Sequence, residues 1–181
     1  MTAKTGERAV IRLQRADDRE AVVGLNDAAF GGELEGRIVT RLWASQMSAV
    51  SLVAELAGEI VGHIMFSPLT VETRADPPAA IDLLGLGPMS VAPGLQRQGL
   101  GSRLVTHGVE WCQRQGVAAV CVLGHPEFYP RFGFTPASRF GLACVYQVPD
   151  PVFMALELVP GRLDSVQGTV HYAPAFSIAE A

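Results

Sequence analysis

Three groups of residues in this 181-residue chain could do chemistry by type and spacing. The first is the run Val91-Ala92-Pro93-Gly94-Leu95-Gln96-Arg97-Gln98-Gly99-Leu100-Gly101-Ser102. An apolar, strand-like stretch from Ile81 to Val91 precedes it, and an amphipathic, helix-like stretch from Leu100 to Gln115 follows. A strand, a glycine-bearing loop and a helix start gather free backbone N–H groups at one spot, with the positive end of the helix dipole behind them. A phosphate is the natural guest of such a cradle. Gly99 and Gly101, lacking a Cβ, let the guest approach closely. The second group is Tyr129 with His125 four residues before it, and the third is Glu33 and Glu35, at the start of a helical pattern.

The spacing in the loop excludes two common phosphate binders. A nucleoside-triphosphate loop needs a lysine followed by Ser or Thr after its last glycine, and no lysine follows Gly99 or Gly101. A dinucleotide fingerprint needs a third glycine where this chain has Leu104. Gly85-Leu86-Gly87 is no substitute, because Pro88 follows at once and no helix begins there. What remains is Gln96-x-x-Gly99-x-Gly101.

The elements that position these residues can be read along the chain. Residues 1–8 read as a frayed tail. Val10, Ile11 and Leu13 suggest a first strand. A helix capped by Asp17 or Asp18 runs to about Phe30 and is broken by Gly31-Gly32, and a second spans Glu33 to about Ala44 with Leu34, Ile38 and Leu42 on one stripe. Ser51–Leu56 and Ile60–Phe66 around Ala57-Gly58-Glu59 read as a hairpin. Pro68 ends it, Val71–Thr73 extends it into the next arm, and Asp76-Pro77-Pro78 is a loop. Gly85, Gly87 and Pro88 interrupt the strand Ile81–Val91 and mark a bulge or a close backbone approach. Val117–Leu123 reads as a buried strand parallel to it across the intervening helix. A short helix near Phe132, then strands at Leu142–Tyr146 and Phe153–Leu158, complete the pattern. The expectation is one α/β domain over residues 1–181, with a C-terminal extension over 159–181. Its single mixed, mostly antiparallel sheet is flanked by helices.

Composition narrows the function. Hydrophobic residues make up 49% and charged residues 18%, which places the chain among globular proteins. The net charge of −4 and the absence of Lys/Arg runs argue against nucleic-acid binding. No apolar run approaches the roughly 20 residues of a membrane span. A cytoplasmic protein is expected. Cys112, Cys121 and Cys144 lie among apolar residues without metal-ligand spacing, so they read as reduced thiols and no metal is expected. No Ser or Cys has the setting of an activated nucleophile.

Gln96-x-x-Gly99-x-Gly101, led in by Met89-Ser90-Val91-Ala92-Pro93, resembles the acyl-CoA pyrophosphate loop of the GNAT superfamily of N-acetyltransferases. Tyr129-Pro130-Arg131-Phe132-Gly133-Phe134 resembles that family's Tyr-x-x-x-Gly-Phe segment, and Leu123 to Phe134 is similar to a bacterial branch of it. The stretch Gly168-x-Val170-x-Tyr172 to Phe176 also resembles that branch. The likeness covers about residues 9 to 158.

The resemblance implies splayed fourth and fifth strands, Ile81–Val91 and Val117–Leu123. It also implies acetyl-CoA as co-substrate. Backbone N–H groups of Arg97, Gln98, Gly99, Leu100, Gly101 and Ser102, in the loop opened by Gln96, would hold the pyrophosphate, and Met89 and Val91 would bond the pantetheine. Tyr129 stands where the family has the acid for the leaving thiolate, or packs as one more aromatic. His125 replaces the branch's Asp, as a candidate base or a plain turn residue. Glu33 and Glu35 border the acceptor side, as amine binders, remote bases or solvated helix-start carboxylates. The fourth strand lacks the Glu base of many members and offers only Asp82 and Ser90. The implied activity is acetyl transfer from acetyl-CoA to a primary amine, on a small molecule or a peptide, by a monomer or homodimer. The alternative is a non-catalytic acyl-CoA sensor or partner subunit.

Overall fold

The computed structural model describes residues 8–73, 81–164 and 166–180, so the first seven residues and the Asp76–Pro78 loop lie outside them. Seven strands form the large sheet, in the order β1, β2, β3, β5, β6, β9, β7. They are β1 (Val10–Leu13), β2 (Val50–Leu56), β3 (Glu59–Pro68), β5 (Leu83–Val91), β6 (Ala119–Leu123), β7 (Thr135–Pro136) and β9 (Phe153–Glu157). All neighbours are antiparallel except β5 and β6, which run parallel across helix α3 (Leu100–Arg114). This is the mixed, mostly antiparallel sheet expected. Beside it lies a small sheet that sequence patterning did not separate: β4 (Thr70–Glu72), β10 (Gly168–His171) and β8 (Leu142–Cys144). Of the stretch expected to extend the hairpin, Val71–Thr73, the residues Val71 and Glu72 instead belong to β4 and pair with β10.

The sheet's two faces are covered differently. On one face α3 lays Leu100, Leu104, Val105 and Cys112 over Ile64, Phe66 and Val120. Gly108 allows this approach, since a Cβ there would stand 2.5 Å from the Phe66 ring. On the other face α1 (Arg19–Phe30) and α2 (Leu34–Ala44) place Val22, Ile38, Val39 and Leu42 over Val53 and Met65. The small sheet, with Val166 just before β10, covers the rest of that face, Leu142 and Val170 packing against Leu83, Cys121 and Ala155. A seam therefore divides this second face between the helix pair and the small sheet. The segment Ala173–Phe176 joins the helix-pair core there.

Local chemistry sets the helix ends. α1 stops at Gly31, whose φ of +76° suits glycine and whose N–H bonds the Asp27 carbonyl. Asp18 precedes α1, but its carboxylate accepts from the Arg15 N–H at 2.6 Å and from the Arg12 guanidinium at 2.7 Å. The hydrogen bond from Arg12 holds Asp18 at about 2, below the usual carboxylate value. Arg12 also reaches Glu55 at 2.7 Å, so one guanidinium ties β1, β2 and the entry to α1.

Candidate functional site

The site begins where β5 and β6 part. Their ladder pairs Leu83 through Leu86 with Ala119 through Val122 and goes no further. On its other edge β5 stays paired with β3 out to Val91. Between Ile64↔Met89 and Phe66↔Leu86 the register slips, with one more residue in β5 than in β3. That bulge lies at Gly87-Pro88, where proline has no N–H to lose from a ladder. Beyond it, the β6-side edge of Met89–Val91 is left without a strand partner among the described residues. An extended, amide-bearing guest can add there as a strand.

The loop that follows is set by its own side chains. After a 3-10 turn at Pro93–Leu95, the Gln96 amide donates to the Val91 carbonyl at 3.1 Å, and the Gln98 amide donates to the Gly94 carbonyl at 3.1 Å. Arg97 takes a φ of +60° and Gly99 one of +87°. These turn the chain into α3 so that its first bond within the helix is Arg103 N–H to the Gly99 carbonyl, at 3.1 Å. No side chain caps this helix. The N–H groups of Leu100, Gly101 and Ser102 thus precede the first helical bond, at the positive end of a 15-residue helix. A Cβ on Gly101 would lie 3.8 Å from the side chains of Met89, Val91 and Phe128. The helix start therefore sits across the mouth of the gap between the two strands.

Tyr129 forms the other wall. The chain leaves β6 through Gly124, and the Tyr129 ring lies so close over it that a Cβ would stand 2.2 Å from the ring edge. Phe128 and Phe134 pack edge-on to Tyr129 at 5.0 and 5.6 Å. Burial pushes the Tyr129 phenol up to about 12, so it stays protonated at neutral pH. His125 lies exposed in the turn, its carbonyl accepting from the N–H groups of Phe128 and Tyr129 at 3.0 and 3.4 Å.

Glu35 is half-buried in the first turn of α2, on the stripe it shares with Ile38, Val39 and Leu42, which faces the sheet. Glu33 is exposed at the N-cap position. The site residues thus divide: Met89, Val91, Gln96 to Ser102 and Tyr129 surround one gap, whereas Glu35 stands on the helix pair across the sheet. Among the described residues no group of His, Cys or carboxylates is placed to hold a metal ion. No described helix is long and apolar enough to cross a membrane. Two clefts, of about 430 and 340 Å³, run along α1 and α2, one beside Arg19 and Trp43 and one beside Asp27 and Arg37. Neither includes a residue of the loop or the gap.

Sequence reasoning missed the contribution of the C-terminal segment to the seam. Tyr172 lies over Gly85 of β5, where a Cβ would stand 3.0 Å from its ring, and packs edge-on to Phe176 at 5.3 Å. The spacing of these two aromatics and the bare Gly85 were the available signals.

Comparison with known proteins agrees with this geometry. The family model described as Acetyltransferase (GNAT) family matches residues 16–134. The chain therefore belongs to the GNAT acetyltransferase family, a class of acyl-CoA-dependent N-acetyltransferases. It is 29% identical to the "Uncharacterized N-acetyltransferase YhbS" of Escherichia coli K12, over 93% of this chain and 98% of that one. It is 37% identical to the "Uncharacterized N-acetyltransferase YjhQ" of the same strain, over 67% of each chain. The crystal structure of E. coli YhbS in complex with CoA superposes with a TM-score of 0.89, at 29% identity, covering 98% of this chain and 96% of that one. A GNAT acetyltransferase of Brucella melitensis in complex with acetyl-CoA gives a TM-score of 0.77 at 32% identity, covering 93% and 97%.

Proposed function

We propose that this protein transfers the acetyl group of acetyl-CoA to a primary amine by direct attack within a ternary complex. The observation that carries the reading is the uncapped start of α3 set across the gap between β5 and β6, with a protonated Tyr129 on the far wall. The N–H groups of Arg97 through Ser102 would bind the pyrophosphate. The free edge of Met89–Val91 would take the pantetheine amides as a strand. This directs the thioester toward the bulge and Tyr129.

In the reaction the amine nitrogen attacks the thioester carbon and the carbonyl oxygen becomes an oxyanion. The Val91 N–H is the donor suited to it. As the C–S bond breaks, the thiolate takes the Tyr129 proton, which solvent later restores. The amine proton leaves to water or to a base, for which His125 and Glu35 are the candidates, and Glu35 also suits a cationic acceptor. Direct attack is favoured because burial pushes the thiols of Cys112 and Cys121 up to about 12 and raises that of Cys144, leaving no ready thiolate for an acetyl-enzyme.

A second reading is a non-catalytic acyl-CoA binder. It is favoured by one observation: the part of β5 beside the gap, Gly87–Val91, carries no titratable side chain. CoA release from acetyl-CoA, followed across a panel of primary amines, separates the two. Rate with at least one amine supports transfer. Firm CoA binding with no release across the panel supports the binder.

A further inference from the structure

Beneath α1 a row of polar side chains crosses the second face of the sheet, from the edge at β1 to the strand that borders the acyl-CoA gap. Just after β1, Gln14 accepts a hydrogen bond from the Ser51 hydroxyl of β2. With its proton so used, Ser51 meets His63 Nε2 of β3 at 2.9 Å as an acceptor, so His63 Nε2 carries the proton. His63 Nδ1 is then a lone pair, and it accepts from Asn26 Nδ2 of α1 at 3.1 Å. Asn26 Nδ2 also donates to the Val22 carbonyl at 2.8 Å, which fixes the amide's orientation. Every donor in the row is assigned by its partners. His63 is fully buried and neutral, with burial pushing it down to about 3.

One acceptor and one donor remain at the inner end. Asn26 is fully buried and its Oδ1 has no hydrogen-bond partner among the described residues. Ser90, 3% exposed, is the cross-strand partner of His63, and its hydroxyl likewise has none. Paired residues on antiparallel strands present their side chains on the same face, about 5 Å apart at Cβ. His63 thus has Asn26 bonded to its ring and Ser90 paired beside it on the same buried face. Ser90 lies between Met89 and Val91, on the sheet face that carries α1. Unmet polar groups in a core are costly, so an acceptor and a donor left beside one buried ring call for a guest.

We propose that Asn26 Oδ1 and Ser90 Oγ form a buried binding site for one small hydrogen-bonding group that offers both a proton and a lone pair, with His63 as its positioning residue. Water and the nitrogen of the acceptor amine share that chemistry. The proposal's role in turnover rests on the acetyl-transfer reading, whereas occupancy of the site does not.

Two arms test it on the full chain. In the first, a crystal structure with CoA resolves the internal waters. The expected result is one water within hydrogen-bond distance of both atoms. Ser90 bonded directly to Asn26 Oδ1 with nothing between them overturns the proposal. A second crystal, with acceptor bound, tells the sources apart by whether the amine nitrogen replaces that water or bonds it.

The second arm is kinetic. Ser90→Ala should lower kcat about tenfold while leaving the CoA Kd and the KM for acetyl-CoA unchanged, a loss on the scale of one hydrogen bond. Ser90→Thr, which keeps the hydroxyl, should restore the rate. His63→Leu should lose rate as Ser90→Ala does, and His63→Gln should keep it. Wild-type kcat in folded Ser90→Ala overturns the catalytic part. Absence of transfer by the wild type sinks the acetyl-transfer reading instead and leaves the first arm standing, as does any variant that fails to fold.

Discussion

The burial of His63 makes stability depend on pH. The neutral ring is locked between Asn26 and Ser51, and its pKa falls from the ordinary 6.5 to about 3. Above pH 6.5 the ring is neutral in both folded and unfolded chains, and its contribution is fully present. As pH falls below 6.5 the unfolded chain takes up a proton that the folded chain refuses, so stability declines until the folded ring protonates near 3. Integrating that one-proton difference gives a loss of about 2 kcal/mol between pH 7 and pH 5, and about 5 kcal/mol over the whole window, as orders of magnitude. Asp18 acts lower down: its native value of about 2 lies below the ordinary 3.8, so its contribution is present above pH 4 and lost as pH falls toward 2. Urea unfolding at pH 7, 6 and 5 measures the effect, with His63→Gln as the control that keeps one donor and one acceptor but cannot titrate. The wild type should lose about 2 kcal/mol more than the variant between pH 7 and 5. Parallel curves for the two proteins would refute the assignment of a buried, neutral His63.

Other perturbations follow from single contacts. Tyr129→Phe should lower kcat on the order of 100-fold, as expected for loss of a general acid, with the CoA Kd unchanged by calorimetry. Gly124→Ala places a Cβ 2.2 Å from the Tyr129 ring and should displace it, reducing kcat toward that of Tyr129→Phe while the loop still binds CoA. Gly108→Ala drives a Cβ to 2.5 Å from Phe66 under α3, and urea titration should show a loss of about 1–3 kcal/mol from overpacking. Cys112 and Cys121, buried with their thiols pushed up to about 12, should react with a thiol reagent at pH 8 only after denaturant is added.

The strand–loop–helix part of the candidate site was legible in the sequence because local geometry builds it. Gln96, Gly99 and Gly101 act within one strand–loop–helix turn, and Gly85, Gly87 and Pro88 announced the bulge that frees Met89–Val91. Tyr129 was singled out by the resemblance of Tyr129 to Phe134 to the family's Tyr-x-x-x-Gly-Phe segment. The buried polar row beneath α1 was not legible, because distant segments assemble it. Asn26 and His63 are 37 positions apart, as are Gln14 and Ser51, and nothing local marks them as partners. Nothing in the flanking Gly62 and Ile64 marks His63, because its partners lie on β2 and α1. The small sheet escaped notice because its strands are three or four residues long and come from three distant places. Glu35 was placed at the helix start by pattern, but that its stripe faces the sheet came from the packing of Ile38, Val39 and Leu42.

Initial-rate kinetics with acetyl-CoA and an accepted amine, read together with the mass of both products, distinguish direct transfer from an acetyl-enzyme and from binding alone. Expected are lines that intersect when both substrates are varied, one acetyl group on the amine nitrogen, and no acetylated protein when acetyl-CoA is supplied alone. Parallel lines with a stable acetyl-enzyme, or CoA bound firmly with no amine acetylated, would contradict it.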